Sequence, residues 1–405
     1  MTTYLPGDAE YDLLRKPLRA DLDPHPAMIV KAERTEDVRG AILTARSQNL
    51  PLAVQATGHG THQSTDGAVL LRTNEMAAVL IDPDRRIAKV GPGATWGQVL
   101  KAAAPLGLAP LSGSSPTVGV TGYTLGGGMG WLARKFGFAA DSVTKARIVT
   151  AEGRLLTTSA DQYPDLFWAL RGGGGNFGIV TGLEFKLYPV AKVYAGTSTL
   201  TGDLFENLAA YRDWALNLPD EVSSAAVVRD NLVIVKTLSI GHHVPLWTEP
   251  ATTDVREMGY AEASMGGTAA RYFDYFAKLT DDVLGAAVAN HEENGSTVEI
   301  RHWGGALANP GPDAGPVGHR DMPFSVILDN PSATIADELS PDAAGAGFLN
   351  FTGDPKKTER AYTTANLKRL RAVKSFYDPD NFFHLNAGFG AGDAKRVIAK
   401  RRRSA

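Results

Sequence analysis

Cysteine is absent from all 405 residues, which excludes disulfides, iron–sulfur clusters, thiol nucleophiles and any cysteinyl bond to a cofactor. An excess of one charge is lacking too. Lys and Arg number 41 against 44 Asp and Glu, a net charge of -3, so neither nucleic acid nor an acidic membrane surface is implied as a partner. The basic tail at 400–403 reads as a solvated terminus. No apolar run approaches a membrane span, and the polar N-terminus has no core of signal-peptide type; the expectation is a cytoplasmic protein. Histidine is sparse, and the single H-x-x-H spacing, His59 and His62 with Asp66 nearby, is too thin for a coordination shell. No metal is expected.

What is present is glycine, 43 residues of it, gathered into runs. Hydrophobic residues make up 43% and charged residues 21%, values of an ordinary soluble globular protein. The length suits two domains. The first stretch alternates β and α patterns. Strands are expected at 27–30, 52–54, 69–71, 78–81 and 87–90, with a hairpin turn at Asp82-Pro83-Asp84. A helix follows Thr35, read as its N-cap, and a second spans 95–104. Further strands are expected at 146–150 and 154–157, a helix at 165–170, then strands at 177–181 and 183–187. From about Tyr194 the character changes. Strand-like runs at 225–228, 232–238, 297–302 and 324–328 are separated by helix or loop at 253–265 and 269–279. Helical spacing returns at 358–374. No internal repeat is present.

Four segments can carry chemistry. Val54-Gln55-Ala56-Thr57-Gly58-His59-Gly60 is a strand running into a glycine turn that holds a histidine. The segment LSGSSPTVGVTGYTLGGGMGW, 111–131, sets glycines among small hydroxyl residues. Glycine lets backbone approach a ligand with no Cβ in the way, and successive free N–H groups can solvate a pyrophosphate. The third segment is GGGGNFGIV at 172–180 and the fourth is YDPDNFFHLNAGF at 377–389. None is a G-x-G-x-x-G dinucleotide fingerprint opening a helix, and no P-loop Gly-Lys-Ser/Thr is present. A cradle of two glycine loops remains open.

In order along the chain, GH at 58–59, PTVGVTGYTLGGGMGWL at 116–132, DLFWALRGGGGNFGIVT at 165–181 and YDPDNFF at 377–383 closely resemble the berberine-bridge-enzyme-like branch of FAD-linked oxidases. That branch lies in the vanillyl-alcohol-oxidase superfamily. The resemblance extends to EIRHWGGA at 299–306 and GHRD at 318–321. It implies an α+β fold: a PCMH-type FAD-binding domain of two α/β subdomains, plus a substrate domain whose large antiparallel sheet is flanked by helices. The expected division is 1–190 for the N-terminal part of the FAD domain, 191–355 for the substrate domain, and 356–405 for a segment returning to the FAD domain.

The resemblance also implies FAD, held by Gln55, Ala56, Thr57, Gly58, His59 and Gly60 in the first loop. Ser114, Ser115, Val118, Gly119, Gly122 and Tyr123 follow in the second, with Val180 and Asn386. His59 matches the position where family members bond the flavin 8α-methyl through an imidazole nitrogen, which needs a neutral imidazole. Ser115 stands where doubly linked relatives carry cysteine, so one bond at most is expected. Gln55-Ala56-Thr57-Gly58 departs from the arginine and two glycines that many relatives place before this histidine. Proton removal from the substrate is assigned to Tyr362, which matches a family tyrosine, or to His302. In a strand at 297–302, His302 shares a face with Ile300 opposite Arg301, and which face meets the flavin is left open.

The implied reaction takes a hydride from a C–H next to oxygen or nitrogen of a small molecule, such as a sugar, a hydroxylated ring or another secondary metabolite. O₂ then reoxidises the flavin, giving hydrogen peroxide. Two alternatives stand beside it: a flavin dehydrogenase using another acceptor, and a flavin- or ligand-binding protein without turnover. The sequence is silent on oligomeric state.

Overall fold

The computed structural model describes residues 1–385, 388 and 389. Its α+β chain builds three sheets. The first has the strand order Thr2–Tyr4, Met28–Lys31, Val69–Arg72, Leu52–Gln55; the first pair is antiparallel and the others are parallel. The parallel pairs exist because a helix, Thr35–Ser47, carries the chain back across the sheet, as parallel pairing requires. Its Val38, Ala41, Ile42 and Ala45 are fully buried against Val30, Val69 and Leu71. Arg34, not Thr35, is the N-cap: Asp37 turns back and accepts from the Glu33 and Arg34 amides, taking over the capping that a threonine hydroxyl would supply.

The second sheet is antiparallel throughout, ordered Val79–Asp82, Ile87–Val90, Ile179–Lys186, Val143–Val149, Leu155–Thr158. The Asp82-Pro83-Asp84 turn joins its first two strands, and Thr95 caps the helix Trp96–Ala103. The two strands expected at 177–181 and 183–187 are one, because Gly182 stays in the ladder opposite Arg147.

The third sheet is the largest, eight strands ordered Thr252–Thr253, Lys192–Leu200, Leu232–Ser239, Val222–Arg229, Val298–His302, Phe324–Leu328, Tyr272–Phe276, with Arg256–Gly259 also pairing to Lys192–Leu200. Parts of the stretches expected to be helix or loop, 253–265 and 269–279, are therefore strands at Arg256–Gly259 and Tyr272–Phe276. Alternation makes the sheet two-faced. Ala226, Val228, Val233, Val235, Ile300 and Phe324 point to one face, covered by helices Leu204–Ala215, Asp281–Asn294 and Ile335–Leu339. The other face meets the first part of the chain: Val193, Ala195, Ala225 and Leu238 pack on Leu111, Trp131 and Leu132.

The helical repeat expected at 358–374 is broken. A 3₁₀ stretch Pro355–Ala361 gives way at Tyr362 to the helix Thr364–Tyr377, whose N-cap Thr363 accepts from the Asn366 amide. This last helix runs back to the second-sheet region, where Leu370 and Val373 join the core around Phe177 and Phe167. Among the described residues no helix is long and apolar enough to cross a membrane.

Candidate active site

A cavity of about 680 Å³ opens between the first sheet, the second sheet and the loop 267–270 that leads into the third. Strand Leu52–Gln55 delivers the first loop to its wall, Gly58 with a φ of 85° making the turn that a residue with Cβ would resist. Gln55, Ala56, Thr57, Gly58, His59 and Gly60 all line it, as do Ser114, Ser115, Val118, Gly119, Gly122 and Tyr123 from the second segment and Val180 from the third. The expected loops thus share one space. Asn386 lies outside the described residues.

The glycine segment is pinned from several sides. A Cβ on Gly130 would sit 1.9 Å from the Ser112 carbonyl oxygen, so that crossing admits only glycine. Gly122 and Gly60 are different: a Cβ there meets nothing within 4 Å, and both residues border the cavity. From the returning chain, Asn350 Oδ1 accepts from the Gly128 amide at 2.9 Å while its Nδ2 donates to the Tyr123 carbonyl at 3.0 Å.

His59 is an exposed residue of the cavity wall whose ring is partly desolvated by its surroundings. Thr57 Oγ1 lies 3.2 Å from its Nδ1 and Thr117 Oγ1 3.2 Å from its Nε2, with Ser115 Oγ 3.0 Å beyond Thr117. Burial holds the imidazole below its ordinary pKa and so favours the neutral ring. Elsewhere on the wall, Thr65 Oγ1, Thr121 Oγ1, Tyr123 Oη, Thr268 Oγ1 and His62 Nδ1 are buried without a partner in the protein. Buried polar atoms normally have one, so these mark where a polar ligand belongs. A long groove with a glycine-free-space wall, hydroxyl groups and several orphaned polar atoms fits FAD.

His302 and Tyr362, expected to handle the proton, are not among the lining residues. His302 faces the helix layer with Ile300: its ring stacks on Phe324 at 5.4 Å and its Nε2 lies 3.1 Å from Arg134 Nη1. Burial first, then Arg134, lowers its pKa to about 3. The Tyr362 hydroxyl donates to the Gly172 carbonyl at 3.1 Å, and its ring packs on Phe389. Neither side chain borders the groove, and His302 Nδ1 is buried without a partner among the described residues.

The opposite face of the same strand is the one turned toward the cavity. Arg301 Nε bonds Glu299 Oε1, and Lys236 Nζ lies 3.8 Å from Glu299 Oε2. Glu299 also accepts from the Thr268 amide at 3.0 Å, and Thr268 lines the cavity. Arg301 lies 5.1 Å over the Phe351 ring and 3.8 Å from Met129 Sδ, two further wall residues. Burial pushes the Glu299 carboxyl up, but Arg301 and Lys236 outweigh it and the net shift is down. Burial lowers the Lys236 pKa, more than Glu299 restores it. The signal for this cluster was in the sequence: two charges at i and i+2 in VEIRH, and one lysine in the apolar run LVIVKTLS.

Residues 26–159 match the model of an FAD binding domain, and residues 347–389 that of the berberine and berberine-like segment. The chain thus carries an FAD binding domain and a berberine-like segment, and it is similar over nearly its whole length to FAD-linked oxidoreductases. It is 28% identical to (R)-6-hydroxynicotine oxidase of Paenarthrobacter nicotinovorans, over 94% of this chain and 94% of that one. With glucooligosaccharide oxidase of Sarocladium strictum it shares 28% identity over 90% of this chain and 87% of the other. The crystal structure of 6-hydroxy-D-nicotine oxidase from Arthrobacter nicotinovorans superposes with a TM-score of 0.85 at 26% identity, covering 96% of this chain and 97% of that one. The chain is thus an FAD-dependent oxidoreductase.

Proposed function

We propose that this FAD-dependent oxidase removes a hydride from the C–H beside an oxygen or nitrogen of a small molecule, with O₂ as the final acceptor, and that His59 bonds the flavin. The observation that carries the reading is the single groove in which the His59 loop, the glycine segment and Val180 meet. When bound, FAD supplies a two-electron acceptor that protein side chains lack. Residues 1–190 and 356–405 are proposed to hold it, with 191–355 forming the substrate side.

His59 is suited to a single bond. Its neutral ring has a nucleophilic nitrogen, and Thr117 is placed to accept the N–H that the other nitrogen keeps. Ser115 has no thiol to offer, which limits attachment to one link. On the substrate side, Thr268 and Tyr123 present unpartnered hydroxyls for orienting a heteroatom. The Tyr123 hydroxyl, its pKa raised well above 10 by burial, acts as a donor and not as a base. We assign the proton of the substrate heteroatom to the Lys236–Glu299–Arg301 cluster, in which burial makes Lys236 readier to give up a proton than an exposed lysine.

The test has two arms. Acid precipitation of the yellow protein should leave flavin on the polypeptide, and His59→Ala should release it; free flavin from the wild type refutes the bond. Lys236→Met should lower the rate of anaerobic flavin bleaching by substrate about 10²-fold or more. An unchanged rate and pH profile would remove Lys236 from the proton path.

A further inference from the structure

A second cavity, about 660 Å³, adjoins the flavin groove. The two share six wall residues: His59, His62, Ala269, Ala270, Phe351 and Thr352. It runs along the strand Tyr272–Phe276, the edge of the large sheet, and is closed from outside by residues 336–347 and 351–360. A groove filled by FAD leaves a substrate to approach through contiguous space, and this cavity provides it.

Its charges do not cancel. Asp274 is fully engaged: Oδ1 accepts from the Tyr275 and Ala346 amides, and Oδ2 accepts from Arg360 Nη2 at 2.8 Å. Asp354 accepts from the Lys356 amide at the start of the 3₁₀ stretch and keeps its charge, so the wall sets two carboxylates against the four cations Arg19, Arg271, Lys357 and Arg360. Arg19 is paired with Asp21 at 2.5 Å. Two wall cations are left, Arg271 and Lys357, and among the described residues neither makes an ion pair. Arg271 is held in place by its backbone, its N–H donating to the Leu328 carbonyl at 2.9 Å. The inner end of the cavity is apolar and flat, with Phe273 and Phe351 stacked at 5.3 Å.

Resting on the oxidase reading above, we propose that this cavity is the substrate's anteroom and that it selects a ring compound bearing a carboxylate. The ring lies toward Phe351 and the shared wall, and the carboxylate meets Arg271 and Lys357. Arginine and lysine recognise carboxylates by charge-assisted hydrogen bonds, and both side chains are exposed on the cavity wall.

Calorimetric titration of the flavin-loaded enzyme tests this with benzoate, its uncharged isostere benzamide, and inorganic phosphate, all at one ionic strength. Benzoate should bind about tenfold or more tighter than benzamide, and phosphate more weakly than benzoate. Arg271→Gln with Lys357→Gln should abolish the benzoate preference and leave benzamide binding and flavin content unchanged. Equal binding of benzoate and benzamide, a preference that survives the double substitution, or phosphate binding tighter than benzoate would each overturn the proposal. Failure of the oxidase reading is seen separately, as protein that takes up no flavin.

Discussion

Replacing Lys374 with methionine puts the return of the C-terminal segment to a direct test. Lys374 and Asp378 are both wholly buried, one helical turn apart, with Nζ donating to Asp378 Oδ2 at 2.7 Å. The same Nζ donates at 2.9 Å to the Asn176 carbonyl in the glycine loop and at 2.9 Å to the Phe383 carbonyl. One side chain therefore ties three stretches of chain. Methionine keeps the volume and removes the charge and all three bonds. Removing one partner of a buried pair costs about 3–5 kcal/mol, because the other charge is left uncompensated. Asp378 keeps its bonds from the Phe382 and Phe383 amides, which holds the loss toward the lower end. The expected outcome is a melting midpoint about 4 °C lower, read in parallel by tryptophan fluorescence and by release of flavin fluorescence. Denaturant titration should place the loss above about 2 kcal/mol. A shift of less than about 1 kcal/mol would refute the argument that this pair holds the segment to the glycine loop.

Gly122→Met should separate folding from binding: the helix Val120–Leu125 gains stability from the lost glycine by about 0.5–1 kcal/mol, while the side chain enters the groove and FAD uptake falls at least tenfold by difference absorbance. Thr117→Val should leave FAD binding intact and cut the fraction of flavin retained after acid precipitation, since the ring loses its Nε2 partner. His302 stays neutral in the folded protein down to about pH 3, whereas it takes a proton near 6.5 when unfolded. Its contribution is thus complete above pH 6.5 and lost as pH falls, at up to about 1.4 kcal/mol per unit. His302→Gln should flatten the measured stability between pH 6.5 and 4, and an unchanged slope would show that other groups set the acid limb.

How far the sequence reaches depends on how local the cause is. The hairpins at Asp82-Pro83-Asp84 and Glu152-Gly153 and the strand Ile87–Val90 follow from turn chemistry and alternation within a few residues. The helices Leu204–Ala215 and Asp281–Asn294 have side-chain caps in Asp203 and Thr280, but their apolar spacing is diluted by alanine and charge and carries little helical signal in the sequence. The first loop and the glycine segment were legible as cofactor loops from motif order, and no spacing rule could have brought them together with Thr268 or Asn350. Tyr362 and His302 show the limit: both have the right chemistry, and only tertiary packing reveals that one hydroxyl is spent on Gly172 and the other ring is turned away.

Strand parity settles that last point. In Val298–His302 the side chains alternate, so one strand supplies Ile300 and His302 to the helix layer and Glu299 and Arg301 to the cavity side. A shift of register by one residue would exchange them, burying two charges among Val235, Val326 and Leu328. That arrangement is disfavoured, since the Glu299–Arg301 pair would enter an apolar core without Lys236 and the Thr268 amide, and an incompletely satisfied buried pair costs several kcal/mol. The same register aligns Arg301 with Ala225 and Ala225 with Lys236 across adjacent strands, which is why the small side chain of Ala225 lets two cations reach one carboxylate. The polar cluster beside the flavin groove and the apolar seal beneath the helices are thus two consequences of one alternation. A substitution that slips this strand would destroy both together.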